Sequence, residues 1–208
     1  MSQHAFVYLA SQSPRRRQLL EQLGVRYELL LPDDDEDAEA LEVVKPNEAP
    51  RAYVQRVTRL KLDAALLRLQ RRQLPAAPII CSDTTVAIGR TILGKPDDAA
   101  HAVRMLRALS GQTHRVLTAV AMGFKNASHQ KPLIHQTLSV SSVRFAPMTP
   151  AQIKNYAESG EPMGKAGAYA VQGRAAAYIE HIRGSYSGIM GLPMYETAQL
   201  LREFGFKV

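Results

Sequence analysis

Stretches of apolar residues separated by polar ones divide this 208-residue chain into predicted strands and helices. A run of apolar residues at 5–10 predicts a buried strand. The segment after it, up to Gly24, predicts a helix that ends at that glycine, and residues 27–31 predict a second strand. The chain therefore opens with a β-α-β unit, which is typical of the α/β class.

The rest of the chain continues this mixture of elements. A long amphipathic helix is predicted from about residue 47 to residue 72, with an apolar stripe of Tyr53, Val57, Leu60, Ala64 and Leu67. The apolar run at 78–81 predicts a central strand that we expect to end where residues 82–85 become polar. The remaining predictions are a hairpin (86–93), a helix (97–109), long strands (115–124 and 133–145) joined by a polar turn (126–131), a helix (150–159), strands (168–171 and 177–182) and a final helix (193–204).

Composition narrows the classes of partner and compartment. The chain has 26 Lys plus Arg against 19 Asp plus Glu, and its net charge of +7 suits an anionic partner such as a nucleotide, a nucleic acid or an acidic membrane surface. We do not expect nucleic acid, because the basic residues are scattered without interleaved aromatic residues and tryptophan is absent. A lone cysteine, the absence of a secretory leader and the lack of an apolar run near the roughly 20 residues of a membrane span favour a cytoplasmic protein.

One predicted helix begins beside a cluster of arginines. Ser13 followed by Pro14 is a helix-start signal, because a serine hydroxyl accepts from a terminal amide and proline fits the first helical position. Three arginines at 15–17 follow, where the helix dipole disfavours each cation by roughly 0.3–1 kcal/mol. Since arginine presents a planar fork of donors to phosphate oxygens, the pattern predicts an anion site, with a solvated basic turn as the alternative.

Asp83 is the candidate catalytic carboxylate. It follows a predicted buried strand, at the edge where α/β sheets usually bind ligands, although turns and helix caps also use aspartate. Lys95 is presented from a loop stiffened by Gly94 and Pro96, and Lys61 borders the apolar stripe of its predicted helix. A solvated loop lysine and a snorkelling lysine are the ordinary interpretations of the last two.

An acidic loop at 33–37 supplies further oxygen ligands. Glu36, together with Asp33 or Asp35, is available to share a hard cation with Asp83. A merely solvated acidic run is the alternative.

A glycine-rich path at 160–173 carries Lys165 and Gln172. Its spacing excludes a dinucleotide-binding fingerprint, and a loop built for close approach of a ligand fits better. The amide of Gln172 is suited to reading the edge of a base, although any surface glutamine offers the same groups.

Taken in order, these segments resemble the Maf (septum-formation inhibitor) family of nucleoside triphosphate pyrophosphatases. The resemblance runs from Leu9 to nearly the C-terminus, and the order and spacing of its motifs carry it. The motifs are ASQSPRR at 10–16, DT at 83–84, LGKP at 93–96, LSGQTH at 109–114, GEP at 160–162, KAGAY at 165–169, GSY at 184–186 and GLP at 191–193.

The resemblance implies a cytoplasmic α/β enzyme, commonly a homodimer, that uses a divalent cation, Mg²⁺ or Mn²⁺, to cleave a nucleotide between its α and β phosphates. The fold it implies is a mixed, strongly twisted central sheet flanked by helices, with a ligand cleft at the strand ends. No internal repeat or linker in the sequence forces a boundary, so residues 1–208 are predicted to form a single domain, with two lobes around the cleft as one arrangement of it.

The resemblance also implies roles for individual residues. Catalysis is assigned to Asp83, Lys61, Lys95 and Arg16, substrate binding to Ser11, Arg15, Thr84, Lys165 and Gln172, and the metal to Asp83 and Glu36. Thr84 after the aspartate, with the GEP and AGAY stretches, resembles the branch of the family that acts on dTTP and UTP, and modified pyrimidine nucleotides are further candidates. The other branch, which carries Gln at that place, hydrolyses 7-methyl-GTP and is the first alternative.

A role in house-cleaning or in arrest of cell division is also implied by the family. A non-enzymatic regulator that binds nucleic acid is the second alternative.

Overall fold

A computed structural model of the chain describes residues 4–33, 36–37, 40–125 and 131–208. These residues form one mixed sheet in the order β2-β1-β3-β5-β6-β7, with β4 paired to a separate part of β3. The strands β2, β1 and β3 are parallel, and the other pairings are antiparallel. Their bounds are β1 (Val7–Leu9), β2 (Tyr27–Leu29), β3 (Ile79–Ile88), β4 (Thr91–Leu93), β5 (Thr113–Phe124), β6 (Leu133–Phe145) and β7 (Ile179–Arg183).

Six α-helices accompany the sheet in the described ranges, and several of their termini carry the expected signals. Proline occupies the first turn of α1, and Gly24, at φ 69°, follows its end. Asp98 accepts a hydrogen bond from the amide of His101 at the start of α3, and Thr149 with Gln152 forms a capping box at α4. The bounds are α1 (Pro14–Gln22), α2 (Pro50–Arg71), α3 (Ala99–Leu109), α4 (Pro150–Glu158), α5 (Tyr186–Met190) and α6 (Met194–Glu203).

Helices cover both faces of the sheet. Successive residues of its buried strands point to opposite faces, and apolar residues occur on both. Val7 and Leu9 of β1 pack with residues of α1 and α6, whereas Tyr8, between them, packs on the other face against α2. A further apolar cluster, which includes Phe145 and Tyr169, lies among β5, β6, α3 and α4. The prediction of a mixed α/β fold with a central sheet flanked by helices is confirmed.

Strand β3 departs from the sequence prediction. The strand was expected to end where the sequence becomes polar at 82–85, and this expectation is wrong, since β3 continues through these residues to Ile88. Its register with β5 is unbroken across the polar segment, from Ile79 opposite Gly123 to Ala87 opposite Arg115. The hydrogen bonds of this ladder hold the polar residues in extended conformation, so Asp83 lies within a strand and not in the loop after one.

The buried face of α2 also differs from the predicted stripe. Leu60 and Leu67 are 37% and 68% exposed, whereas Leu62, Ala65 and the side chain of Arg68 are buried. The helix is thus rotated so that charged side chains at its inner edge approach the sheet. The hydrophobic periodicity did not indicate this rotation, because Arg68 occupies a position that the pattern assigns to solvent.

Part of the glycine-rich path was predicted as a strand at 168–171, and this prediction is wrong. The chain makes a 3-10 turn at Ala166–Ala168, where Gly167 and Ala168 have positive φ angles of 69° and 61°. A strand cannot include such residues, so the alternation of apolar residues here reflects burial of a turn against the core. The strand predicted at 177–182 is observed as β7, after a 3-10 segment at Arg174–Tyr178.

The sheet leaves one edge of β3 open. Strand β1 pairs with β3 at Ile79 and Ile80, and β4 pairs with it at 86–88. Among the described strands, none pairs with residues 81–85 on this edge. The chain leaves β1 here and enters α1, so a gap opens in the sheet beside Asp83.

Within the described ranges, no helix combines the length and the apolar character needed to cross a membrane.

Replacement of Gly167 by alanine should destabilise the fold. A Cβ atom at Gly167 would lie 2.8 Å from the Cβ of Val86, at a φ of +69° that disfavours side chains. Gly164 has a φ of +71° with no atom within 4 Å of an added Cβ, so Gly164→Ala is a control that carries the backbone strain without the clash. In urea unfolding, we expect Gly167→Ala to lower the free energy of unfolding by about 1–3 kcal/mol more than the control does. Equal losses in the two variants would show that the contact with Val86 has no effect.

Candidate active site

A cavity of about 690 Å³ opens at the unpaired edge of β3. The ends of β1 and α1, the inner side of α2, the loop after β4 and the glycine-rich path all contribute to its wall. The ten residues to which the sequence analysis gave catalytic, binding or metal roles all line this cavity, namely Ser11, Arg15, Arg16, Glu36, Lys61, Asp83, Thr84, Lys95, Lys165 and Gln172. The fold thus brings together residues that are far apart in the sequence.

Asp83 and Lys61 form an ion pair at the floor of the cavity. The Nζ atom of Lys61, on α2, donates to Oδ1 of Asp83 at 2.5 Å, and the two side chains are only 20% and 11% exposed. Burial raises the pKa of Asp83 above its ordinary value, and the charges of Lys61 and Arg16 offset this effect only in part. A raised pKa makes the ionised carboxylate a stronger base.

Lys61 is held by a second carboxylate that the sequence analysis missed. Its Nζ atom also donates to Oε1 of Glu42 at 2.7 Å, and Nζ of Lys95 lies 2.9 Å from Oε2 of the same side chain. Burial alone would lower the pKa of Lys61, but the adjacent carboxylates of Asp83 and Glu42 raise it, so the ammonium keeps its charge. The sequence does hold one signal for Glu42, because it is a single acidic residue within the apolar run Leu41-Glu42-Val43-Val44, and a carboxylate that is buried among apolar residues needs a partner.

Arg16 is fixed on the side of the sheet opposite to Lys61. Its Nε atom donates to the carbonyl oxygen of Gly191 at 2.9 Å, and Nη1 donates to Oγ of Ser11 at 3.2 Å. Nη2 lies 3.5 Å from Oγ1 of Thr84, which in turn is 3.0 Å from Oγ1 of Thr118. Asp83 and Thr84 point to opposite faces of β3, as successive strand residues must, and the open edge allows both to reach the cavity.

The start of α1 differs in one detail from the prediction. Ser13 is the residue before the helix, but its side chain makes no capping hydrogen bond. Instead, the hydroxyl of Ser11 accepts from the amide of Ser13 at 3.2 Å. Since the same hydroxyl accepts from Arg16, Ser11 links the loop after β1 to the first turn of α1.

Arg15 and Lys165 both line the cavity, and their positive charges interact. Burial and the positive charge of Arg15 together lower the pKa of Lys165. Lys165 comes from the glycine-rich path, where its Nζ atom donates to the carbonyl oxygen of Glu161. Like charges held close together in a partly buried cavity favour an anionic ligand between them.

Hydrogen bonds tie the glycine-rich path to the loop of Lys95 and to α4. The amide of Gly167 donates to the carbonyl oxygen of Gly94 at 3.0 Å, which joins the loop of Lys165 to the loop of Lys95. The hydroxyl of Tyr156 donates to Glu161 at 2.8 Å, and Glu161 also accepts from the amide of Arg174. Gln172 lies between these anchors, exposed at the rim of the cavity.

Glu36 lies at the rim but is engaged by arginines. Its carboxylate accepts from Nε of Arg68 at 3.0 Å and from Nη2 of Arg71 at 2.7 Å. Asp33 pairs with Arg71 and Arg72, and Asp35, the other candidate for sharing a cation, lies outside the described residues. The assignment of Glu36 as a metal ligand therefore stays a prediction.

The donor set fits a hard divalent cation that binds together with phosphate. The described residues include no cluster of three histidine, cysteine, aspartate or glutamate side chains that could hold a metal by itself. Mg²⁺, however, is usually held by only one or two carboxylates, and substrate phosphates and water complete its coordination. Asp83 and Glu42, whose carboxylates both contact the ammonium group of Lys61, provide the one or two carboxylates that such a cation needs.

His114 and Tyr169 join two of the sequence motifs in the core behind the cavity. The Nε2 atom of His114 lies 2.8 Å from the hydroxyl of Tyr169, whose side chain lines the cavity. His114 is 1% exposed, and its Nδ1 atom has no hydrogen-bond partner among the described residues. Burial lowers the pKa of His114 to about 4.

Comparisons with known proteins agree on one family. The sequence profile of the family described as "Maf-like protein" matches residues 6–204. A protein of Albidiferax ferrireducens named dTTP/UTP pyrophosphatase is 70% identical over 203 residues, which cover 98% of each chain. Proteins with the same name from Polaromonas sp. and Cupriavidus pinatubonensis are 68% and 64% identical and cover 98% and 96% of this chain and 98% and 97% of their own.

Acidification should destabilise the protein through His114. Because the pKa of this histidine is about 4 in the folded protein and 6.5 for an ordinary exposed histidine, the unfolded chain binds the extra proton between these values. Above pH 6.5 the histidine is neutral in both states and costs no stability. As the pH falls from 6.5 towards 4, the free energy of unfolding decreases by up to about 3 kcal/mol. Free energies of unfolding at pH 7.5 and 5 should differ more for the native protein than for His114→Asn. The same difference in both proteins would remove His114 as the cause.

Proposed function

This chain belongs to the Maf family, and we propose that it is a nucleoside triphosphate pyrophosphatase that hydrolyses dTTP and UTP to the monophosphate and pyrophosphate. One observation carries the chemistry of this proposal. A buried carboxylate, Asp83, lies with its pKa raised in a cavity whose lining also includes the guanidinium and ammonium groups of Arg15, Arg16, Lys61, Lys95 and Lys165. The cations suit a polyphosphate, and the carboxylate suits activation of water. The names of relatives that are 64–70% identical supply the nucleobases.

Asp83 is the group that activates water in the proposed reaction. A water molecule beside its carboxylate attacks the α phosphorus, and the new bond joins the water oxygen to that phosphorus. The bond between the α phosphorus and the bridging oxygen breaks, so pyrophosphate leaves with the electron pair. Asp83 takes the proton of the water, and Lys61 keeps the carboxylate oriented through its 2.5 Å hydrogen bond.

The cations of the cavity stabilise the charge that develops on the leaving pyrophosphate. Arg15, Lys95 and Lys165 all line the cavity, from three different segments of the chain. Arg16 is held rigidly by Gly191, Ser11 and Thr84, so it keeps its geometry without substrate. Donors that are fixed before the reaction need no reorganisation as charge moves, and removal of one such donor typically costs about 10²–10³-fold in rate.

A divalent cation is part of the proposal, and Asp83 would hold it together with phosphate oxygens. Bound there, it would neutralise phosphate charge and polarise the α phosphoryl group. Glu36, which lines the cavity, would be its second ligand once its carboxylate turns from Arg68 towards Asp83.

The base is read, in this proposal, by Thr84 and Gln172. Gln172 offers a donor and an acceptor at the rim, a pair that matches the edge of uracil or thymine. Thr84 also lines the cavity, where its contacts with Arg16 and Thr118 hold its hydroxyl in place. A homodimer in the cytoplasm completes the proposal, and it derives from the family resemblance.

The proposed activity can be tested by pyrophosphate release from purified, chelator-treated protein, with and without added Mg²⁺ or Mn²⁺. The panel contains dTTP, UTP, CTP, GTP, ATP, 7-methyl-GTP and 5-methyl-UTP. We expect metal-dependent release from dTTP, UTP and 5-methyl-UTP, with Asp83→Asn slower by about 10²–10⁴-fold because it removes the base.

Three outcomes of this panel contradict parts of the proposal. Preference for 7-methyl-GTP would place the chain in the other branch of the family. If no nucleotide of the panel released pyrophosphate and the protein showed salt-dependent binding to DNA or RNA, a non-enzymatic regulator that binds nucleic acid would be favoured instead. Unchanged turnover by a folded Asp83→Asn would remove Asp83 from the mechanism.

A further inference from the structure

Glu42 lines the cavity, and side chains of α2 hold its backbone in place. It ends the 3-10 segment Ala40–Glu42, and its carbonyl oxygen accepts from the hydroxyl of Tyr53 at 2.9 Å. The next carbonyl oxygen, of Val43, accepts from Nη2 of Arg56 at 2.9 Å. Both donors belong to α2, so the helix that carries Lys61 also fixes the position of Glu42.

The carboxylate of Glu42 bridges two ammonium groups with its two oxygen atoms. Oε1 lies 2.7 Å from Nζ of Lys61, and Oε2 lies 2.9 Å from Nζ of Lys95. Burial disfavours ionisation of Glu42, but the two lysines outweigh it and keep the pKa below the ordinary value for glutamate. The side chain therefore presents two anionic oxygens to two cations, as a phosphate group would.

We propose that Glu42 is a specificity-determining residue of this site, an internal anion that holds Lys61 and Lys95 until a polyphosphate displaces it. The identity of the displacing ligand as a nucleoside triphosphate rests on the proposed function. Phosphate oxygens and the Glu42 carboxylate compete for the same donors, so each bound phosphate group must replace hydrogen bonds that already exist. The charge of Glu42 also repels any anion that enters without displacing it.

This competition favours ligands of high negative charge. A triphosphate brings enough charge to take the lysines from Glu42 while Arg15, Arg16 and Lys165 bind its other oxygens. A nucleoside monophosphate or a free phosphate ion brings less, so it competes poorly. After cleavage, the return of Glu42 to the two lysines promotes departure of pyrophosphate, and the side chain thereby limits product inhibition.

Binding of inorganic pyrophosphate, measured by calorimetry in chelator without divalent cation, tests this inference directly. The absence of metal separates competition for the lysines from any contribution of Glu42 as an oxygen ligand. Glu42→Gln keeps the size of the side chain and removes its charge, and we expect about tenfold tighter binding, which corresponds to about 1.4 kcal/mol. Glu42→Asp keeps the charge but is too short to bridge both lysines, so its affinity should be intermediate.

Glu158→Gln is the matched control, because it removes the same charge from α4, where Glu158 faces Lys154 at 3.8 Å on the surface. Its affinity for pyrophosphate should equal that of the native protein. In a Lys95→Gln background, the gain from Glu42→Gln should fall well below tenfold, because one of the two contested donors is gone.

Unchanged or weaker binding by Glu42→Gln would overturn the inference, and weaker binding would show that Glu42 props the lysines in place for substrate. Failure of both proteins to bind pyrophosphate would also overturn it. A full tenfold gain in the Lys95→Gln background would contradict competition at the lysines. Because no turnover is measured, tighter binding would stand even if the nucleotide panel showed no hydrolysis.

Discussion

The ion pair between Asp83 and Lys61 is the interaction on which the arrangement of the site depends. A buried carboxylate is costly unless a partner compensates it, and here the compensation comes from an ammonium group on a different element. The pair can form only because α2 crosses the face of β3 with its charged edge turned towards the sheet. That rotation exposes Leu60 and Leu67, and it buries Arg68 beside the acidic loop. One electrostatic requirement thus accounts for the unusual surface of the longest helix.

The second constraint is the open edge of β3. A continuous sheet would separate Asp83 from Thr84 by a layer of backbone, since successive strand residues face opposite sides. The gap between the pairings with β1 and β4 removes that separation, so groups from both faces meet in one cavity. The polar residues of β3 therefore stay in the strand, where the ladder with β5 holds them rigidly, and still contact a ligand.

The sequence predicted the fold class and most helices, because these follow from periodicity and end signals, and the residues that its ordered motifs singled out line one cavity in the fold. It did not predict features that depend on tertiary contacts. The ladder with β5 extends β3 through residues that look like a turn, and burial of Ala168 and Tyr169 makes a 3-10 turn look like a strand. Glu42 escaped notice because its partners, Lys61 and Lys95, are distant in sequence and no periodic pattern links them.

The most direct test of the ion pair asks whether Lys61 sets the basicity of Asp83. It compares the pH dependence of kcat/KM for UTP hydrolysis between the native protein and Lys61→Gln. The charge of Lys61 lowers the pKa of Asp83 against the effect of burial, so its removal should raise that pKa further and leave Arg16 to oppose burial. We expect the acidic limb of the profile to move to higher pH in the variant, beyond any uniform loss of rate. A limb that stays in place, or moves to lower pH, would show that the pair does not set the basicity of Asp83.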